Sequence, residues 1–174
     1  MESTVVSVAD KRQAFRRLHE AGCFVIPNPW DIGSARMLQG LGFKALATTS
    51  SGFAWSQARP DNGISREMAL LHLAEMVAAT DVPINADFES GFAADPAGVA
   101  QSVRLAVETG VAGLSIEDST GQAAAPLFSV EEAVELFEVR STGWRAVDPV
   151  GSAGNHDDLG VSVGFLEWRH VAWF

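Results

Sequence analysis

Apolar residues recur along this chain in two alternating rhythms. From Ser7 to His19 they keep helical spacing through Val8, Phe15 and Leu18, and Gly22 closes the segment. The short apolar run Cys23–Pro27 then predicts a buried strand. Asp31 stands where a helix cap is wanted, ahead of a helical pattern through Ala35, Met37 and Leu38 that stops at Gly42. Phe43–Thr49 predicts a second strand. After a loop rich in Ser, Gly, Pro and Asn, Ser65 opens a helix expected to bury Met68, Leu71, Leu73 and Met76. Val82–Ala86 predicts a third strand. Asp95-Pro96 starts a helix through Val99, Val103 and Val107 to Gly110, because proline suits the first helical position. Val111–Ile116 predicts a fourth strand, and Ser129-Val130-Glu131-Glu132 fits a capping box for a last helix ending near Val139.

Continuous apolar strands alternating with helices predict an α/β fold with a parallel sheet covered by helices. In such sheets the groups that handle ligands lie beyond the carboxyl ends of the strands. Ser50-Ser51, Asp87 and Glu117 all fall there. Side chains alternate along a strand, so Asp87 and Glu89 are expected to face the same way. Carboxylates gathered at such ends form a hard, oxygen-rich site suited to Mg²⁺ or Mn²⁺. From about Ser141 no apolar strand appears where the next is due, and Trp144, Trp168, Trp173, His156 and His170 crowd into the remainder. The pattern therefore divides the chain into a regular body, residues 1–140, and a tail, residues 141–174.

Composition narrows the field. A chain of 174 residues with 47% hydrophobic content can build one domain with its own core. Twelve basic against 22 acidic residues give a net charge of −10, which argues against nucleic acid or an anionic membrane as partner. A single cysteine, Cys23, excludes an internal disulfide and a cysteine-based zinc site, and its apolar setting predicts a buried thiol. No segment approaches the ~20 apolar residues of a membrane span, nor does the start resemble a signal peptide, so a cytoplasmic protein is expected.

Several stretches together resemble the phosphoenolpyruvate mutase/isocitrate lyase superfamily. They are Asn28-Pro29-Trp30-Asp31 with Ser34-Ala35, Ala47-Thr48-Thr49-Ser50-Ser51-Gly52-Phe53-Ala54, Asp61-Asn62-Gly63, Asp87-Phe88-Glu89-Ser90-Gly91-Phe92, and Ser115-Ile116-Glu117-Asp118. The resemblance implies a (β/α)₈ barrel of TIM type, of which this chain would supply about the first four βα units plus an irregular tail. It implies Mg²⁺-dependent chemistry on a small carboxylate substrate. By the same resemblance Asp87 would bind the metal most directly, with Glu89 and Glu117 holding it directly or through its waters. Ser51, Gly52 and Phe53 would receive the substrate carboxylate, and Asp61 would be a loop acid closing over the site. The chemistry is consistent, since a divalent cation stabilises the enolate oxygen that forms next to a carbonyl.

Two departures limit the likeness. Asp118 is followed by Ser119-Thr120-Gly121-Gln122-Ala123, in place of the Lys-Lys-Cys-Gly-His loop of the isocitrate and methylisocitrate lyases. The longer gating loop of the mutases is missing as well. After Val139 nothing matches the family's second half, with its substrate-pairing arginine, so the tail reads as a frameshifted or disordered end. The expectation is a Mg²⁺-dependent lyase, decarboxylase or phosphonomutase-like enzyme acting on a small 2-oxo or 2-hydroxy carboxylate through an enolate. The alternative is a catalytically silent half-barrel that only self-associates, because strands that never close leave exposed sheet edges. A homo-oligomer is expected in either case. Trp30, His19 and His72 read as packing or surface groups, and His156 beside Asp157-Asp158 reads as part of a loop.

Overall fold

The structure is a computed structural model and describes residues 6–122 and 124–135. The tail 141–174, the expected helix end near Val139 and the His156-Asp157-Asp158 cluster lie outside the described residues. The order of elements is α1 (Val8–Leu18), α2 (Ile32–Gly40), β1 (Leu46–Ala47), α3 (Ser50–Ser56), α4 (Arg66–Ala79), β2 (Ile84–Asp87), α5 (Pro96–Glu108) and β3 (Gly113–Ser115). A further helix begins at residue 130, where Ser129 and Glu132 exchange the two hydrogen bonds of the expected capping box.

The helix starts follow directly from local chemistry. Ser7, Asp31, Ser65 and Asp95 each accept a hydrogen bond from a backbone N–H in the first turn, which satisfies donors that the helix itself leaves unpaired. At Asp31 the exchange is reciprocal, because Ser34 Oγ also accepts from the Asp31 backbone N–H at 3.3 Å. Gly22, Gly42 and Gly110 take positive φ just beyond α1, α2 and α5, where a side chain would be strained.

The three strands run parallel in the order β1-β2-β3, with Leu46 opposite Ile84 and Asp87 opposite Ser115. Along β2 the exposures alternate. Ile84 and Ala86 are fully buried in the main core, whereas Asn85 and Asp87 are half-buried on the other face. That core also takes Leu46, Leu73, Met76, Val99, Val103 and Leu114.

A second cluster closes the opposite end. Phe15 of α1 packs with Ala45 and Ala112, and a Cβ on Gly113 would lie 2.5 Å from its ring. Only glycine at 113 leaves room for that aromatic plug. Two cations tie α1 down further. Lys11 Nζ donates to the carbonyls of Val77 (2.8 Å) and Thr80, and Arg12 donates to those of Val107 (2.8 Å) and Val111 (3.0 Å). Val77, Thr80 and Val107 lie at the C-terminal ends of α4 and α5, where a positive charge is favoured by the helix dipole, and Val111 lies just ahead of β3.

Four expectations need correction. Cys23–Pro27 is not a strand; it runs beside β1 with one ladder-like bond, Ala47 N–H to Pro27 carbonyl at 3.0 Å. Its far side has no cover among the described residues, so Cys23 is exposed rather than buried and Val25 is 69% exposed. The described residues thus hold three strands, not four. Leu71 is exposed on α4, whose buried face is instead Ala69, His72, Leu73, Met76 and Val77; α4 is apolar nearly all round, so its sequence gave no clean face to choose. The segment after β1, read as a loop, opens with the short helix α3, capped by Thr49.

Candidate metal and carboxylate site

Asp87 ends β2 with its backbone N–H bonded to Thr48 Oγ1 at 2.9 Å. Its Oδ2 accepts two further hydrogen bonds from Ser50, one from the backbone N–H (2.7 Å) and one from Oγ (2.9 Å). The same carboxylate is therefore fixed by the turn that begins α3, at the carboxyl end of the neighbouring strand. Sequence reasoning placed Ser50 in this region but missed its hold on Asp87, because the two lie 37 residues apart.

Past the strand ends the β2–β3 pairing continues, with Phe88 N–H to Ser115 carbonyl at 3.0 Å and Glu117 N–H to Glu89 carbonyl at 2.8 Å. Glu89 adopts φ +48°, a left-handed turn that a non-glycine residue takes only under constraint. The turn leaves Glu89 Oε1 buried with no hydrogen-bond partner among the described residues. Burial pushes the Glu89 carboxyl up to about 7, and the charges of Asp87, Asp61 and Glu117 add to the effect. Glu117 is raised for the same reasons, burial first and then Asp87, Asp61 and Asp118.

The structure thus brings Asp87, Glu89 and Glu117 to one end of the sheet, with Asp61 near enough to be felt by two of them. Asp61 itself is exposed on a loop, its Oδ1 accepting from the Asn62 N–H at 3.0 Å. Ser51, Gly52 and Phe53 form the first turn of α3. Two of their amides have partners already: Gly52 N–H donates to Thr49 Oγ1 at 3.3 Å, and Phe53 N–H to the Thr49 carbonyl at 3.0 Å. Trp30, expected to pack, lies flat against this turn. A Cβ on Gly52 would stand 2.5 Å from its indole, which also meets Trp55 edge-on at 5.6 Å between centroids.

The donors suit a hard divalent cation. They are carboxylate oxygens only, one of them buried and unpaired, in a group whose mutual repulsion a cation would relieve. Among the described residues no three acidic side chains converge into a ready ligand set. A cation held partly through its own waters, as Mg²⁺ prefers, matches that wider spacing.

The sequence profile of the phosphoenolpyruvate phosphomutase family matches residues 15–145. The chain belongs to this family. Among phosphomutase-family relatives, an uncharacterized protein of Mycobacterium tuberculosis strain H37Rv is 34% identical over 110 residues, 63% of this chain and 42% of that protein. A protein of Burkholderia cenocepacia J2315, provisionally named a lyase/mutase, has a crystal structure that superposes with a TM-score of 0.78. It is 48% identical and is covered over 51% of its length by 80% of this chain. A phosphonopyruvate hydrolase crystallised with oxalate and Mg²⁺ shares the fold at a TM-score of 0.74 and 21% identity, over 87% of this chain and 50% of that one. The chain spans about half the length of these relatives. The described residues form the parallel α/β portion of their TIM-barrel-like fold. Solved structures of that fold also include enzymes named as a lyase of 2,3-dimethylmalate and an acetylhydrolase of oxaloacetate. Among the described residues no helix is long and apolar enough to cross a membrane.

Proposed function

We propose that this chain carries the metal- and carboxylate-holding half of a Mg²⁺-dependent enzyme of the lyase, decarboxylase or phosphonomutase type, acting on a small 2-oxo or 2-hydroxy carboxylate. The observation that carries the reading is the unpaired, buried Glu89 Oε1 amid Asp61, Asp87 and Glu117, since acids crowded this way at a sheet's carboxyl end call for a positive charge. Membership of the phosphomutase family supports it, as does the oxalate and Mg²⁺ bound by the phosphonopyruvate hydrolase of like fold.

Asp87, held at Oδ2 by Ser50, is the best-oriented of the three ligand candidates; Glu89 and Glu117 complete the set directly or across water. A divalent cation there supplies the positive charge that stabilises an enolate oxygen next to a carboxylate. Ser51 is the member of the Ser51-Gly52-Phe53 turn that presents a hydroxyl for the substrate carboxylate, and Trp30 walls that turn on one side. Asp61, whose charge reaches Glu89 and Glu117 from its exposed loop, would take or return a proton at the mouth of the site.

The test is calorimetric titration of the purified chain with Mg²⁺ and oxalate. Saturable heat that disappears in Asp87→Ala supports the reading. Absence of any Mg²⁺-dependent oxalate uptake by the folded wild-type chain refutes it.

A further inference from the structure

His72 lies on the inner face of α4, 6% exposed, with its ring stacked on Phe53 at 3.9 Å between centroids and 10° from parallel. Its Nε2 is buried and has no hydrogen-bond partner among the described residues. A polar nitrogen sealed in a core is costly unless something pairs with it. The same imidazole lines a cavity of about 10 Å³. Thr48, Thr49, Ser50 and Asp87 line that cavity too, with Phe53, Ile64, Ala69 and Leu73 forming its apolar side. A space of this size holds about one water, and water stays in such a space only where it finds two or more polar partners. Here the partners surround it.

We propose that His72 is a positioning residue of the candidate site, its Nε2–H donating to a single cavity water that in turn donates to the Asp87 carboxylate. The partners allow this direction of donation. A carboxylate accepts only, so the water must spend a proton on Asp87 and can receive one from the imidazole. His72 would act on Asp87 through the shared cavity, while Ser50 grips Oδ2 from α3. The stack on Phe53 fixes the ring plane and ties the turn Ser51-Gly52-Phe53 to the same support. A ligand held by two such contacts keeps one orientation, and losing an outer contact of this kind weakens metal binding about 10–100-fold in known sites.

The part of this inference that concerns metal affinity rests on the function proposed above; the water bridge does not. A crystal structure of the full chain at a resolution that shows ordered water tests the bridge first. A water within hydrogen-bonding distance of both His72 Nε2 and Asp87 supports it, and a dry Nε2 overturns it. The imidazole ¹⁵N spectrum of wild-type protein tests it again: the Nε2–H tautomer is expected, and an Nδ1–H tautomer overturns the direction of donation. For the positioning role, His72→Phe keeps the stack and removes the nitrogen, whereas His72→Gln returns an N–H to the cavity. Mg²⁺–oxalate affinity about 10-fold weaker in His72→Phe and largely restored in His72→Gln is expected. Equal affinities in wild type and His72→Phe overturn the role. Should His72→Phe not fold, a His72→Gln affinity far below wild type counts against it. If wild-type protein takes up no Mg²⁺–oxalate, the proposed function falls, and the crystal structure and spectrum alone decide the bridge.

Discussion

Glu117 donates its backbone N–H to the carbonyl of Glu89 at 2.8 Å, extending the pairing of β2 and β3 past both strand ends. One bond thereby brings two carboxylates from segments 28 residues apart to the same end of the sheet. The acids pay for this closeness in raised affinity for protons, and that has measurable consequences.

Without a divalent cation, the chain should lose stability as pH rises from 4.5 to about 7. The folded Glu89 keeps its proton up to about 7, whereas in the unfolded chain it is lost near 4.5. Across that window the native state binds more protons, so rising pH favours unfolding. Glu89→Gln should flatten the slope and raise Tm at pH 8 by about 2–4 °C, corresponding to about 1 kcal/mol once solvent screening is allowed for. Mg²⁺ should raise the wild-type Tm more at pH 8 than at pH 5. Calorimetric scans at the two pH values, with and without Mg²⁺, measure all three effects.

His72 should produce a slope of the opposite sign at lower pH. Burial holds its imidazole down to about 4 against a usual value of 6.5. The unfolded chain takes up the proton first as pH falls, so stability present above 6.5 is lost progressively towards 4. The loss should reach about 1–2 kcal/mol at pH 5. Because the Glu89 slope overlaps this window with the opposite sign, urea unfolding at pH 7 and pH 5 should show the loss in Glu89→Gln, and adding His72→Phe should remove most of it.

Ser50→Ala removes one of the two donors to Asp87 Oδ2 and leaves the backbone N–H in place. Hydrogen bonds to a charged group contribute about 1.5–3 kcal/mol, so Mg²⁺–oxalate affinity should fall about 10-fold. Isothermal titration measures it. Ser56→Ala, at the far end of α3 where the hydroxyl donates to the Phe53 carbonyl and accepts from Gln57 Nε2, should leave that affinity unchanged.

Lys11→Ala should loosen α1 from the sheet. It strands the carbonyls of Val77 and Thr80 and removes a stem that is itself buried. The expected cost is about 2–3 kcal/mol, read as a fall in Tm of several degrees with little change in far-ultraviolet circular dichroism below the transition. A variant as stable as wild type would show that α1 contributes nothing through Lys11.

Much of this architecture was legible one residue at a time. Helix starts at Ser7, Asp31, Ser65 and Asp95 are local chemistry within three or four residues, so they read correctly from the chain. The parallel α/β class followed from rhythm, and the acids at 87, 89 and 117 from their places at strand ends. Cys23–Pro27 misled because an apolar run does not say whether a neighbour covers both of its faces. Helix α3 was missed because its seven residues, rich in serine, carry little helical pattern of their own.

What the chain determined by itself, then, is most of the helix starts, the parallel α/β class and the family, since each depends on near neighbours or on motif order. Only the tertiary structure decided that Ser50 grips Asp87, that Glu89 Oε1 is left buried and unpaired, and that His72 faces the same small cavity as Asp87. Those relations join residues tens of positions apart. They arise from how helices seat on the sheet, and burial and shared electric fields exist only once that packing is made.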